Sequence, residues 1–182
     1  MDDPNILDQG GSPVGLTLAS GNYTTAPSDD ALSTLALTDG KALLVPLAFS
    51  RAVDLDRIGI EVTGAGAGSV IRLGWYPSSG GIPVAPVFDA GTIDGTSATA
   101  QTITIAQRVE VGRYWLVAVA QGGAPTVRSI VGDLVSTSVL GTATGSRLSC
   151  YGATGVAGAL PSSPPSFTSV DAAAPRIVVR VA

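Results

Sequence analysis

The sequence predicts an all-β protein: an antiparallel β-sandwich with an extended N-terminal arm and a long irregular insertion before the last strand. Three observations carry this. Apolar and polar residues alternate in short runs, the period-2 pattern of strands with one buried face. The runs are separated by Gly-, Pro- and Ser-rich turns at intervals of roughly 10 to 15 residues, the spacing of sandwich strands. Hydrophobic residues make up 45% of the chain, yet the excess lies in small residues rather than long aliphatics, which favours sheets over amphipathic helices.

Residues 1–40 mix Asp, Pro, Gly, Ser and Thr with scattered leucines and lack sustained periodicity, so they are expected to form an arm for attachment or subunit contacts. Ala31 to Leu37 is the one short helix or strand expected there. From residue 41 to 182 the sequence predicts the sandwich domain. Leu43, Val45, Leu47 and Phe49 alternate as a half-buried strand, and Pro46 places it at an edge or a bulge. Ile58, Ile60 and Val62 repeat the pattern opposite Arg57, Gly59 and Glu61, and Gly64-Ala65-Gly66-Ala67-Gly68 predicts a hairpin or a corner.

Ile71, Leu73 and Trp75 are expected to face inward, with Arg72 and Tyr76 outward and a break at Pro77-Ser78-Ser79-Gly80-Gly81. A short piece around Val87 to Ala90 follows, then a strand with Ile103 and Ile105 alternating with Thr102 and Thr104. Arg113 to Val119 is apolar on both faces and is expected to be a central strand. Val127 to Val131 predicts a shorter strand, and Ile177, Val179 and Val181 predict a last strand that returns to the sheet. Between them, 132–175 is an insertion or set of long loops, with weak strand patterns near Leu134 to Leu140 and Arg147 to Tyr151.

Composition narrows function. Net charge is −4, with nine arginines, one lysine and no histidine, so no basic stripe of the kind that neutralises phosphates is present, and nucleic acid is not an expected partner. Charged residues are 13% of the chain, about half the usual share, which points to surface buried against other chains. The single cysteine, Cys150, cannot form an intrachain disulfide and is expected to be an inert small hydrophobe. Met1-Asp2-Asp3-Pro4 is acidic where a signal peptide is basic, and no apolar run has the length of a membrane helix, so synthesis and folding in a cytoplasm without membrane insertion are expected.

Catalytic chemistry finds little support. Without histidine there is no Ser/His or Cys/His arrangement, and Lys41 has no motif around it. Glu61 and Glu110 are the only glutamates for a glycosidase pair, and Glu61 is better placed as an ion partner on a strand face, with Arg57 and Arg72 as cross-strand neighbours. Gly64 to Gly68 has Ser69 where a dinucleotide fingerprint needs glycine, and a strand follows rather than a helix. Asp54-Leu55-Asp56 and Asp29-Asp30 lack the density of a calcium loop and suit strand entries and turns. No catalytic residue, metal site or cofactor is expected. Asn22-Tyr23-Thr24 matches a glycosylation sequon without a secretory signal to use it.

Aromatic residues leave a binding role open. Trp75, Tyr76, Tyr114 and Trp115 could form a sugar-stacking platform, but alternation puts Trp75 in the core and favours packing for the tryptophans. Tyr76, with the outward Arg72 and Arg57, is the candidate surface or ligand contact.

Four segments resemble a known family: Phe49 to Gly59, Ala67 to Tyr76, Asp89 to Asp94 and Gly112 to Val119. They are similar to β-sandwich modules of tailed-bacteriophage virion proteins, found in tail fibres, minor tail proteins and related appendages. The resemblance implies a jelly-roll-like shape and a homo-oligomer, first of all a trimer, and brings no catalytic or ligand residue with it. It implies a small tail-associated virion protein that docks on other virion proteins through its N-terminal arm and has host-surface carbohydrate as a further partner. The alternatives are a capsid decoration or head-spike protein and a free carbohydrate-binding module.

Overall fold

The computed structural model describes residues 18–26, 32–130, 150–170 and 173–182. Fourteen strands occur among them. β1 (Tyr23–Thr24) and β2 (Leu32–Ala36) come from the first forty residues. β3 (Ala42–Phe49), β4 (Val53–Gly64) and β5 (Val70–Ser79) carry the strongest alternation. β6 (Ile82–Pro83), β7 (Phe88–Asp94), β8 (Ala100–Val109), β9 (Gly112–Gln121) and β10 (Thr126–Ile130) follow through short turns. β11 (Cys150–Ala153), β12 (Thr168–Val170), β13 (Ala174–Pro175) and β14 (Ile177–Val181) complete the set.

The strands form two antiparallel sheets of seven, the sandwich that the sequence predicts. In the first, β8 pairs with one edge of β4, while β14 and then β10 share the other. β1 continues outward from β14, and β2 and β13 flank β10. In the second, the order β12-β11-β3-β9-β5 is extended by β7 and β6, both on β5. Thus β9 is central, as its apolar character on both faces requires.

Alternation explains what lies between the sheets. Leu43, Val45, Leu47 and Phe49 meet Ile58, Ile60 and Val62, Ile71, Leu73 and Trp75, Leu116 and Ala118, and Ile177 and Val179 in one buried core. Trp75 packs on Phe88 at 4.2 Å between ring centroids, so it is a core residue. Pro46 pairs in register with Trp115 on one side, while β11 reaches only Ala42 to Leu44 on the other. At Pro46, β3 therefore has a described partner on one side only, the kind of edge position that tolerates proline.

The stretch expected to be an arm contributes to the sandwich where it is described. Leu32 to Ala36 is the strand β2, in register with Ile130 to Thr126, and Leu37 and Ala26 are buried in the core. The weak pattern at 134–140 lies outside the described residues, and the one near Arg147 to Tyr151 corresponds to β11 where it is described.

Gly64 to Gly68 makes a corner, carrying the chain from β4 in one sheet to β5 in the other. A Cβ at Gly66 would stand 2.6 Å from the Pro125 nitrogen, so only glycine lets this turn lie against the 122–125 loop. Asp94 forms the matching corner between β7 and β8. Its carboxylate accepts hydrogen bonds from Thr96 N and Oγ1 and from Ser97 Oγ, which hold its pKa below the usual value.

Candidate functional site

The two outer faces of the sandwich differ. On the second sheet, alternation turns Leu44, Tyr76, Trp115, Val117 and Val119 away from the core, and the chain after β11 folds across them. Val156 and Leu160 from this strap, with Ala153, close a second buried cluster. Trp115 packs on Tyr151 at 4.9 Å, and Tyr151 lies 6.0 Å from Phe167.

Polar bonds pin the strap along its length. Val156 N donates to Gly40 O at 3.0 Å, and Gln121 Nε2 donates to Gly158 O at 2.7 Å. Leu160 N donates to Asp89 Oδ2 at 2.8 Å, and the same carboxylate accepts from Arg72 Nη1 at 2.9 Å. The Tyr76 hydroxyl donates to Pro161 O at 2.7 Å.

This corrects the expected role of Tyr76 as a surface contact. It faces outward from the sheet, as alternation requires, but is 2% exposed beneath the strap. Burial pushes its phenol up to about 12. Arg72 lies beside it with its guanidinium committed to Asp89. Tyr76 anchors the strap directly and is not open to a ligand, whereas Arg72, part-exposed, acts on the strap through Asp89.

Arg57 lies on the outer face of the first sheet, away from Tyr76 and Arg72, so the three candidates do not form one site. It stands opposite Arg180 on β14 and Thr104 on β8. The expected contact of Glu61 with Arg57 and Arg72 is also corrected. Arg57 shares β4 with Glu61, and Arg72 belongs to the other sheet. Glu61 instead accepts two hydrogen bonds from Arg128 on β10, at 2.7 and 3.1 Å, which hold its pKa below the usual value. Arg180 makes the same two-pronged contact with Asp56, at 2.6 and 2.8 Å, and lowers that pKa likewise.

Along this face the row Tyr23–Arg180–Arg57–Thr104 crosses four strands and is followed by Val178–Gly59–Thr102. Gly59 leaves the second row low, because a Cβ there would meet the Gln101 carbonyl at 2.4 Å. Beyond it stand Glu61, Arg128 and Arg176. The result is a groove of about 420 Å³ lined by Tyr23, Glu61, Thr102, Arg176 and Val178. Tyr23 is 48% exposed, with the Arg180 guanidinium 5.7 Å from its ring centroid.

Neither Arg176 nor Tyr23, which the sequence marks only as the middle of the Asn22-Tyr23-Thr24 sequon, is expected from the sequence as a ligand contact. An aromatic side chain inside the polar run Ser20-Gly21-Asn22-Tyr23-Thr24-Thr25 was the available signal, since such a run offers no hydrophobic face in which to bury it. The Glu61 and Glu110 carboxylates are both held by arginines, Arg128 and Arg108. Cys150 is buried, and burial pushes its thiol up to about 12, far from a reactive thiolate. Among the described residues, no group of three or more His, Cys, Asp or Glu side chains is placed to hold a metal, and no helix is long and apolar enough to cross a membrane. Neither a scan against protein-family models nor a search of curated proteins finds a match to this chain.

Proposed function

We propose that the chain is a non-enzymatic structural subunit of a tailed-phage virion, a small tail-associated protein of the minor-tail or fibre type. It assembles as a homo-oligomer, first of all a trimer, docks through residues 1–40 and has host-surface glycan as a further partner. The segments whose sequence resembles phage virion modules supply the first half of β4 and most of β5, β7 and β9, and β4 and β9 have partners on both sides at the middle of the two sheets.

The observation that carries the structural reading is how charge is used. Asp56, Glu61 and Asp89 are each tied to an arginine on another strand, Arg180, Arg128 and Arg72. These carboxylates cross-link strands, and the arginines lower the pKa values of Asp56 and Glu61, whereas a general acid needs a raised pKa. A chain that commits its ionic groups in this way and carries little charge elsewhere suits a building block.

Mass spectrometry and electron microscopy of particles released from cells that encode the chain test this reading. The chain should be present in purified particles and localise to the tail. Its absence from particles overturns the proposal. Localisation on the head would favour the decoration or head-spike variant. The exposed groove on the first sheet favours a free carbohydrate-binding module as the second reading.

A further inference from the structure

The geometry points to the groove between Tyr23 and Arg176 as a binding site for acidic glycans, sugars that carry a carboxylate. This inference rests on the glycan-contact part of the proposed function and moves it from Tyr76 to the opposite face of the sandwich.

Three features carry it. The first is shape. Gly59 lowers the centre of the sheet's outer face, leaving a trough of about 420 Å³ with a floor of Val178 and backbone. A trough along a rigid sheet suits an extended chain better than a compact small molecule.

The second is the aromatic wall. Tyr23 is half exposed, and its register partner Arg180 fixes the ring by lying 5.7 Å from its centroid, while Asp56 holds Arg180 in turn. The aromatic surface is therefore preorganised, which lowers the ordering cost of stacking a sugar ring on it. Thr102 on the far wall adds a hydroxyl that can donate or accept.

The third is charge. Among the described residues, Arg57, Arg128, Arg176 and Arg180 stand around the groove with Asp56 and Glu61, and Arg108 farther along the same face is matched by Asp54 and Glu110, so the positive charge is concentrated at the groove on a chain whose net charge is −4. Glu61 is already bound by Arg128, and Arg176 stands at the groove close enough to help lower the Glu61 pKa. The groove thus presents a guanidinium fork to a ligand, with a pinned carboxylate beside it to accept sugar hydroxyls. An acidic sugar matches both, and a neutral sugar uses only the second.

The test is isothermal titration of the full chain with an oligogalacturonate, a neutral maltooligosaccharide and polyglutamate. Oligogalacturonate should bind, with affinity falling as salt rises, and the other two should bind at least about tenfold more weakly. Tyr23→Ala and Arg176→Gln should each weaken oligogalacturonate binding about tenfold, with circular dichroism and melting temperature retained. Tyr76→Phe, on the other face, should leave it unchanged. Equal binding of polyglutamate, equal binding of the neutral sugar, indifference to both groove variants, or no binding of oligogalacturonate overturns the inference. Loss of the glycan site with the chain still present in particles removes this inference alone, whereas absence from particles removes the virion reading and leaves the groove result standing.

Discussion

The Tyr76 hydroxyl donates to the carbonyl of Pro161, 2.7 Å away and 85 positions along the chain, and so ties the outer face of one sheet to the strap that covers it. Tyr76→Phe keeps the ring in the second cluster but leaves that carbonyl without this donor. A loss of about 1 kcal/mol is expected, or a fall of about 2 to 4 °C in Tm. Thermal melts of the two proteins check it.

The same tyrosine predicts an alkaline limit. Its folded-state pKa is raised to about 12 by burial, so its contribution to stability is complete below the ordinary phenol value and is lost as pH rises through about 12. Denaturant midpoints measured across this window should fall in the native protein and fall less in Tyr76→Phe.

Asp89 joins Arg72, the Gly91 amide and the Leu160 amide. Asp89→Asn removes the charge and with it the ion pair to a part-buried guanidinium, at a cost of roughly 1 to 3 kcal/mol. Hydrogen exchange should accelerate at Leu160 and along the strap before it accelerates in β9.

How much of this was legible in the sequence follows from what alternation encodes. The periods through Leu43 to Phe49, Ile58 to Val62 and Ile71 to Trp75 correctly separate core from outer face, and the two apolar faces of Arg113 to Val119 identify a central strand. Alternation assigns a side of a sheet but not what lies upon it. Alternation therefore puts Tyr76 on the right face and says nothing of the strap that buries it there. Its cover comes from Val156, Leu160 and Pro161, in a Gly-, Pro- and Ser-rich stretch without strand periodicity. Glu61 was legible as an ion partner, but Arg128 lies 67 positions away, and only the pairing of β10 with β4 brings the two together. The strand β2 was blurred because four of its five side chains are exposed, and an edge strand with no buried face has no reason to alternate.

Acid should weaken the first sheet. Asp56 and Glu61 have pKa values lowered by Arg180 and Arg128, so their contributions are present above the unfolded carboxylate values and are lost as pH falls through the lower folded values. Melting temperature should hold down to about pH 4.5 and then decline. Glu61→Gln should flatten that decline.

Gly74 lies at the bulge between β5 and β7, where a Cβ would stand 2.2 Å from the Phe88 carbonyl oxygen and 2.6 Å from Leu160 Cδ1. Gly74→Ala must displace backbone on one side and the strap on the other. A loss of roughly 1 to 3 kcal/mol is expected, read from denaturant midpoints.

As a proposed building block, the chain should work as a homo-oligomer. Sedimentation equilibrium of the purified full chain at micromolar concentration tests it most directly. A single species with three times the chain mass is expected. A stable monomer over the whole concentration range would contradict it.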